Sequence, residues 1–232
     1  CNVVSVLSSS VERGQAYAAE HGIATATTDL DALVTDPNID AVYISTTNEK
    51  HKSEALAAIA AGKHVMCEKP LALNVADAVE MVRAADKAGV VFATNHHLRN
   101  AGSHLAIKDL IDAGRIGTVQ AMRVHHAVYL PENLHGWRIN NADAGGGVIP
   151  DIVVHDADTV RFYLGEDPVD VVAMERADSL GQGVEDSAMT VWTMPSGAMI
   201  QTHAGSYTPL TPPTITAGFA SEVHGSILTI RY

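Results

Sequence analysis

A lysine at the end of an apolar run, and an aspartate four residues before a histidine, are residue types that steady charge and move protons. Lys69 stands in Glu68-Lys69-Pro70, directly after Val65-Met66-Cys67. Such a run reads as a buried parallel strand, and α/β sheets hold their ligands in a crevice at the carboxyl ends of the strands. A lysine there brings its ammonium to the crevice mouth; the plainer alternative is a solvated Glu68–Lys69 ion pair on the surface. Asp151 and His155, four apart, share one face of a helix. An imidazole can carry a proton near neutral pH, and a carboxylate beside it fixes its tautomer. Asp158 lies three further on, so Asp151, His155 and Asp158 also read as weak metal ligands. Zinc sites favour more His and Cys, so no metal is expected. A histidine that merely fills and satisfies a helix face is the remaining alternative.

Two further sets of polar residues close apolar runs. Ser8, Ser9 and Ser10 follow the first strand, with Arg13 just beyond. An acidic residue at such a strand end accepts hydrogen bonds from a ribose diol, whereas hydroxyls with an arginine suit a 2′-phosphate. That favours NADPH (NADP) over NAD, although a serine-rich turn capping a helix also accounts for the serines. Ser45, Thr46, Thr47 and Asn48 end another strand, with His51 nearby. Polar groups at neighbouring strand ends line one crevice, while the same residues also serve as turn formers and caps.

The elements that must position these groups alternate. Strands are expected at Asn2 to Leu7, weakly near Ala24 to Ala26, at Ala41 to Ser45, at Val65 to Cys67 and at Val90 to Thr94. Helices are expected over Val11 to Glu20, from Asp29 to Asp36, Glu49 to Ala61, and Val75 to Lys87 with Asn74 as its cap. Regular alternation implies parallel βαβ units and a Rossmann-like, doubly wound α/β sheet. Beyond Thr94 the pattern becomes α+β. A helix is expected over Ser103 to Ala113, a strand over Thr118 to Tyr129, a polar loop over Pro131 to Asn141, and a helix from about Gly147 to Leu164. Val169 to Arg176, Ser187 to Met194 and Ala198 to Tyr207 read as strands of an open, mainly antiparallel sheet. The expected domains are 1–97 for a dinucleotide and 98–232 for substrate or oligomerisation.

The GxGxxG fingerprint of dinucleotide sites is absent from the 232 residues. The first visible strand has the features of a second strand, so a preceding strand with a glycine-rich turn is expected, and the alternating run Ser226 to Tyr232 ends abruptly. The 232 residues alone are therefore not expected to bind cofactor normally.

Fifteen lysines and arginines against 27 acidic residues give a formal charge of −12, which disfavours nucleic acid and anionic membranes as partners. No apolar run approaches the ~20 residues that span a bilayer. Two cysteines make no disulfide framework, which points to the reducing cytoplasm.

Together, EKP after AGKHV, GGG before DxxxHD, and DxxRFYLG resemble the glucose–fructose oxidoreductase / inositol dehydrogenase family over essentially the whole chain. Within it, STTNEKH, TNHHLRN, HAVYLPENLHGWR and SSSVERGQAYAAEHGI are similar to bacterial NADPH-dependent reductases of a sugar-type ketone. The resemblance implies a catalytic set of Lys69, Asp151 and His155. It implies adenosine-phosphate contacts from Ser8, Ser9 and Arg13, and further cofactor contacts from Ser45, Thr46, Thr47, Asn48, His51, Glu68, Lys69, Asn95, Trp137 and Arg138. The substrate would be a small carbohydrate. An exposed face of the second sheet would suit a homo-oligomer. An NAD-dependent polyol or inositol dehydrogenase and a non-catalytic sugar-binding protein are the competing readings, with a metal-dependent lyase or hydrolase more remote.

Overall fold

A computed structural model describes residues 2–177, 180–207 and 229–230. The chain divides after Asn95 into two compact units.

In the first unit β1 (Ser5–Leu7), α1 (Val11–His21), β2 (Thr25–Thr27), α2 (Leu30–Thr35), β3 (Ala41–Ile44), α3 (His51–Ala60), β4 (His64–Cys67), α4 (Val75–Ala88) and β5 (Phe92–Thr94) follow one another. Every strand pairing is parallel: β1 with β2, and separately β3 with β4 and β4 with β5. The helices start where side chains replace missing backbone partners. Ser10 accepts the Arg13 amide, Asp29 that of Ala32, and Asn74 that of Asp77. The core joins Ile44, Val65 and Cys67 of the sheet to Ala55, Ala58 and Ile59 of α3 and Met81 and Ala85 of α4. In β4 only Val65 and Cys67 are buried; Met66, on the other face, is exposed. The strand is thus half-buried, where the apolar run alone suggested burial on both faces.

The second unit comprises α5 (Gly102–Asp112), β6 (Ala121–Tyr129), a short α6 (Trp137–Asn140), α7 (Val154–Leu164), β7 (Asp170–Ala177), β8 (Glu185–Thr193), β9 (Met199–Tyr207) and β10 (Thr229–Ile230). The sheet order is β10-β6-β9-β8-β7. The pairs β7–β8 and β8–β9 are antiparallel, as consecutive strands joined by short loops allow. Strands β6 and β10 add parallel pairs, so the sheet is mixed. The β6–β9 pairing spans nearly eighty residues and includes the crossover through α7, which leaves no local trace in sequence. On one face Met122, Val124, Trp192 and Ile200 pack with Val160 and Tyr163 of α7 and with Ile107 and Ile111 of α5. The other face shows Val172, Met174, Met189, Val191 and Met199, all more than half exposed.

Two segments differ from the expectation. The polar stretch 131–141 folds into a 3-10 turn and α6. The expected helix from Gly147 begins instead as a π turn over Ile149–Val153, where the Val154 amide reaches back to the Ile149 carbonyl. Such wide turns often accompany functional sites.

Candidate active site

The Ser8–Arg13 group lies at the end of β1. Arg13 Nη2 donates to Ser9 Oγ at 2.7 Å, and Arg13 Nε lies 3.4 Å from Ser8 Oγ. Gly14 permits this turn, because a Cβ there would stand 3.1 Å from that of Ser8. The result is an exposed guanidinium flanked by two hydroxyls, a donor set that fits a phosphate and offers a ribose diol no carboxylate from Ser8, Ser9 or Arg13. Ser10 itself caps α1 and donates to Glu12, so the capping explanation holds for that serine.

At the end of β3, Ser45 is exposed, Thr46 donates to Glu54 at 2.7 Å, Thr47 donates to Glu49 at 2.6 Å, and Asn48 is buried. His51 has no exposed surface at all. Its Nδ1 lies 2.8 Å from the Pro70 carbonyl oxygen and its Nε2 lies 3.3 Å from that of Thr46. The ring therefore touches backbone where a direct cofactor contact was expected.

Glu68, half-buried at the end of β4, accepts hydrogen bonds from the Tyr43 hydroxyl, from Asn95 Nδ2 at 2.7 Å and from the Lys69 amide at 3.3 Å. Burial pushes its carboxyl up, but the hydrogen bonds from Tyr43, Asn95 and Lys69 prevail and hold it below the usual carboxylate range. Burial and the neighbouring carboxylate raise the Tyr43 phenol. Burial pushes the adjacent Cys67 thiol up to about 12, so it is no thiolate nucleophile. Lys69 is half-buried, between Glu68 and the buried Pro70. The Lys69–Pro70 bond is cis.

In the second unit, Asp151 sits in the π turn and His155 in the first turn of α7. His155 is 7% exposed, so any access to it is narrow. Three imidazoles surround it: His97, His126 and His96, with ring centres 5.2, 5.9 and 6.2 Å away. His126 Nδ1 lies 3.1 Å from Asp156, a carboxylate raised by burial and partly restored by that histidine. Asp158 accepts three hydrogen bonds from Arg99, at 2.6 to 3.0 Å, which commits the third member of the weighed metal set.

The glycines Gly145 to Gly147 explain how Trp137 and Arg138 approach this turn. The Gly146 and Gly147 amides donate to the carbonyls of Asn141 and Arg138. A Cβ on Gly146 would meet the Trp137 carbonyl at 2.4 Å, and one on Gly147 (φ +109) would meet the Glu185 carboxylate at the same distance. Arg138 lies over the Trp137 ring, 4.5 Å from its centre, and lines one cavity of about 10 Å³ with Asp151 and Glu185.

The structure therefore gathers Ser8, Ser9 and Arg13 into one group, Glu68 and Asn95 into a second beside Lys69, and Arg138 and Asp151 into a third. Sequence reasoning missed Tyr43, Arg99, His126 and Asp156. Arg99 lies within TNHHLRN and Asp156 within DxxxHD, but neither motif reveals its partner. Tyr43 and His126 stand on strands, where only the register shows what they face.

Residues 1–96 match a model described as "Oxidoreductase family, NAD-binding Rossmann fold", and 104–231 match the "GFO/IDH/MocA C-terminal domain". The chain is 54% identical, over 97% of its length and 66% of the relative's, to 1,5-anhydro-D-fructose reductase of Ensifer adhaerens. It is 32% identical to myo-inositol 2-dehydrogenase of Thermotoga maritima, over 77% of this chain and 53% of that one. Among solved structures, GenD2 from gentamicin A biosynthesis in complex with NAD superposes with a TM-score of 0.82 at 28% identity, covering 90% of this chain and 60% of that one. The chain thus spans from about half to just under two thirds of these proteins. With both models matched in order along the chain, the chain belongs to the GFO/IDH/MocA family of oxidoreductases, with an NAD(P)-binding Rossmann fold in its first unit.

Proposed function

We propose that the protein is an NADPH-dependent reductase of a sugar-type ketone, converting 1,5-anhydro-D-fructose to 1,5-anhydro-D-mannitol. The observation that carries this reading is the 54% identity to a reductase of 1,5-anhydro-D-fructose over nearly the whole chain. Lys69, Asp151 and His155 supply the groups such a reaction needs. NADPH, when bound, supplies the hydride for the carbonyl carbon. The Lys69 ammonium steadies the negative charge that develops on the carbonyl oxygen. His155 donates a proton to that oxygen, and Asp151 orients the imidazole; a positioned general acid typically contributes roughly 10²–10⁴-fold in rate. Ser8, Ser9 and Arg13 hold the 2′-phosphate. Ser45 to Asn48, Glu68, Asn95, Trp137 and Arg138 hold the rest of the cofactor, and His51 contributes through the backbone it binds.

The relationship to an inositol dehydrogenase and the likeness to an NAD complex favour a second reading, an NAD-dependent polyol or sugar dehydrogenase. Binding of NADPH and NADH to the intact protein separates the two: the reductase reading expects tighter NADPH binding, and equal or weaker NADPH binding removes it. We assign the protein to the cytoplasm and the open face of the second sheet to contact with a second copy. No described helix is long and apolar enough to cross a membrane.

A further inference from the structure

We propose that His51 is a positioning residue that fixes the backbone carrying Lys69 and meets no ligand itself; this rests on Lys69 serving the reaction above. The geometry lies wholly within the first unit. Before Lys69 the chain is tied by the sheet, with the Glu68 amide donating to the Ile44 carbonyl and the Asn95 amide to that of Cys67, both within 2.9 Å. Glu68 is then held by Tyr43 and Asn95 and turns back to its own neighbour's amide. After Lys69 the chain leaves the sheet, and no ladder bond reaches Pro70. The hold there is His51 Nδ1, which donates to the Pro70 carbonyl at 2.8 Å from the first turn of α3. Lys69 is therefore one residue between two fixed peptide groups.

A neutral imidazole has one N–H. The 2.8 Å contact is that of a well-formed hydrogen bond and the 3.3 Å contact is a long one, which places a proton on Nδ1. The ring is fully buried and its polar atoms both face backbone carbonyls. That is the environment of a strut. A lysine whose Cα drifts by about 1 Å loses alignment with its reacting atom, and misplacement of that size costs about 10²-fold in rate.

Asn and Gln separate the strut from a merely structural histidine. The asparagine side-chain nitrogen lies as many bonds from the backbone as Nδ1, and that of glutamine as many as Nε2. His51→Asn should keep kcat within several-fold of the parent, while His51→Gln should lower kcat by about 10²-fold with the KM for ketone and the Kd for NADPH little changed. Nitrogen NMR of the parent should show a proton on Nδ1 of His51. Amide exchange at Lys69 should be faster in His51→Gln than in His51→Asn. Equal kcat in the two variants, or a ring carrying its proton on Nε2 alone, would overturn the proposal. If the parent reduces no ketone, the reductase reading fails, and the ring proton with the Lys69 exchange rates still decides the strut.

Discussion

Arg13 and its two serine hydroxyls form an exposed cationic group whose charge a single carboxylate would cancel. Ser8→Asp would set a carboxylate beside the guanidinium and beside any phosphate it holds. Two like unit charges at contact distance near a protein surface repel each other by more than the ~1.4 kcal/mol that separates tenfold affinities. NADPH binding to the intact protein should weaken by about tenfold or more, with NADH binding unchanged or improved, as read by fluorescence titration of both cofactors. An unaltered ratio would show that this strand end does not read the phosphate. At this scale the sequence is informative where residue type and short spacing bring groups together, as in Arg13 with the Ser8 and Ser9 hydroxyls. It is uninformative where direction decides. His51 was read as a ligand contact from its place after Asn48, but a histidine on the first turn of a helix can face outward or into the fold, and here it is fully buried. Tyr43 could not be seen as a partner of Glu68, because the β3–β4 register brings together residues 25 apart.

The elements themselves were the most legible level of the first unit, since caps and apolar runs act locally. Asn74 was expected to start α4 and does so, with its side chain on the Asp77 amide. The π turn before α7 was not legible, because five residues at its wider period look like helix and only the i−5 bond of Val154 distinguishes it. Short helix α6 was hidden in a polar stretch, where the backbone bonds to the glycine turn matter more than propensity. Packing at this scale gives two measurable outcomes. Met81 of α4 has no exposed surface and touches the core formed by β3, β4 and α3. Met81→Ala should destabilise the protein by about 2–5 kcal/mol in chemical denaturation, through lost burial and a residual cavity. A change below about 1 kcal/mol would mean the core collapses around the gap. The second outcome concerns His104, packed on Tyr163 by a 2.8 Å hydrogen bond, and His203 of β9. Burial, reinforced by neighbouring histidines, lowers both below the ordinary 6.5. The folded state then binds fewer protons than the unfolded one, so stability held above pH 6.5 is lost as pH falls through the lowered values. Melting temperature should drop on mild acidification, and less so in His104→Gln; equal slopes would remove His104 from the cause.

For the whole molecule, the alternating first half and the α+β second half carry the fold class, and the acidic balance disfavours nucleic acid. The family then follows from both halves matching in order. What composition and periodicity do not carry is the substrate, because pocket shape depends on non-local register. The central claim is therefore chemical. It is tested most directly by mixing the intact protein with NADPH and 1,5-anhydro-D-fructose and following loss of NADPH absorbance alongside formation of 1,5-anhydro-D-mannitol, for the parent, Lys69→Ala and His155→Ala. The account predicts stoichiometric turnover by the parent and a loss of roughly 10²–10⁴-fold in kcat for His155→Ala, with a comparable loss for Lys69→Ala and both variants still folded. A parent that consumes no NADPH with this ketone, or variants that turn over at the parent's rate, would contradict it.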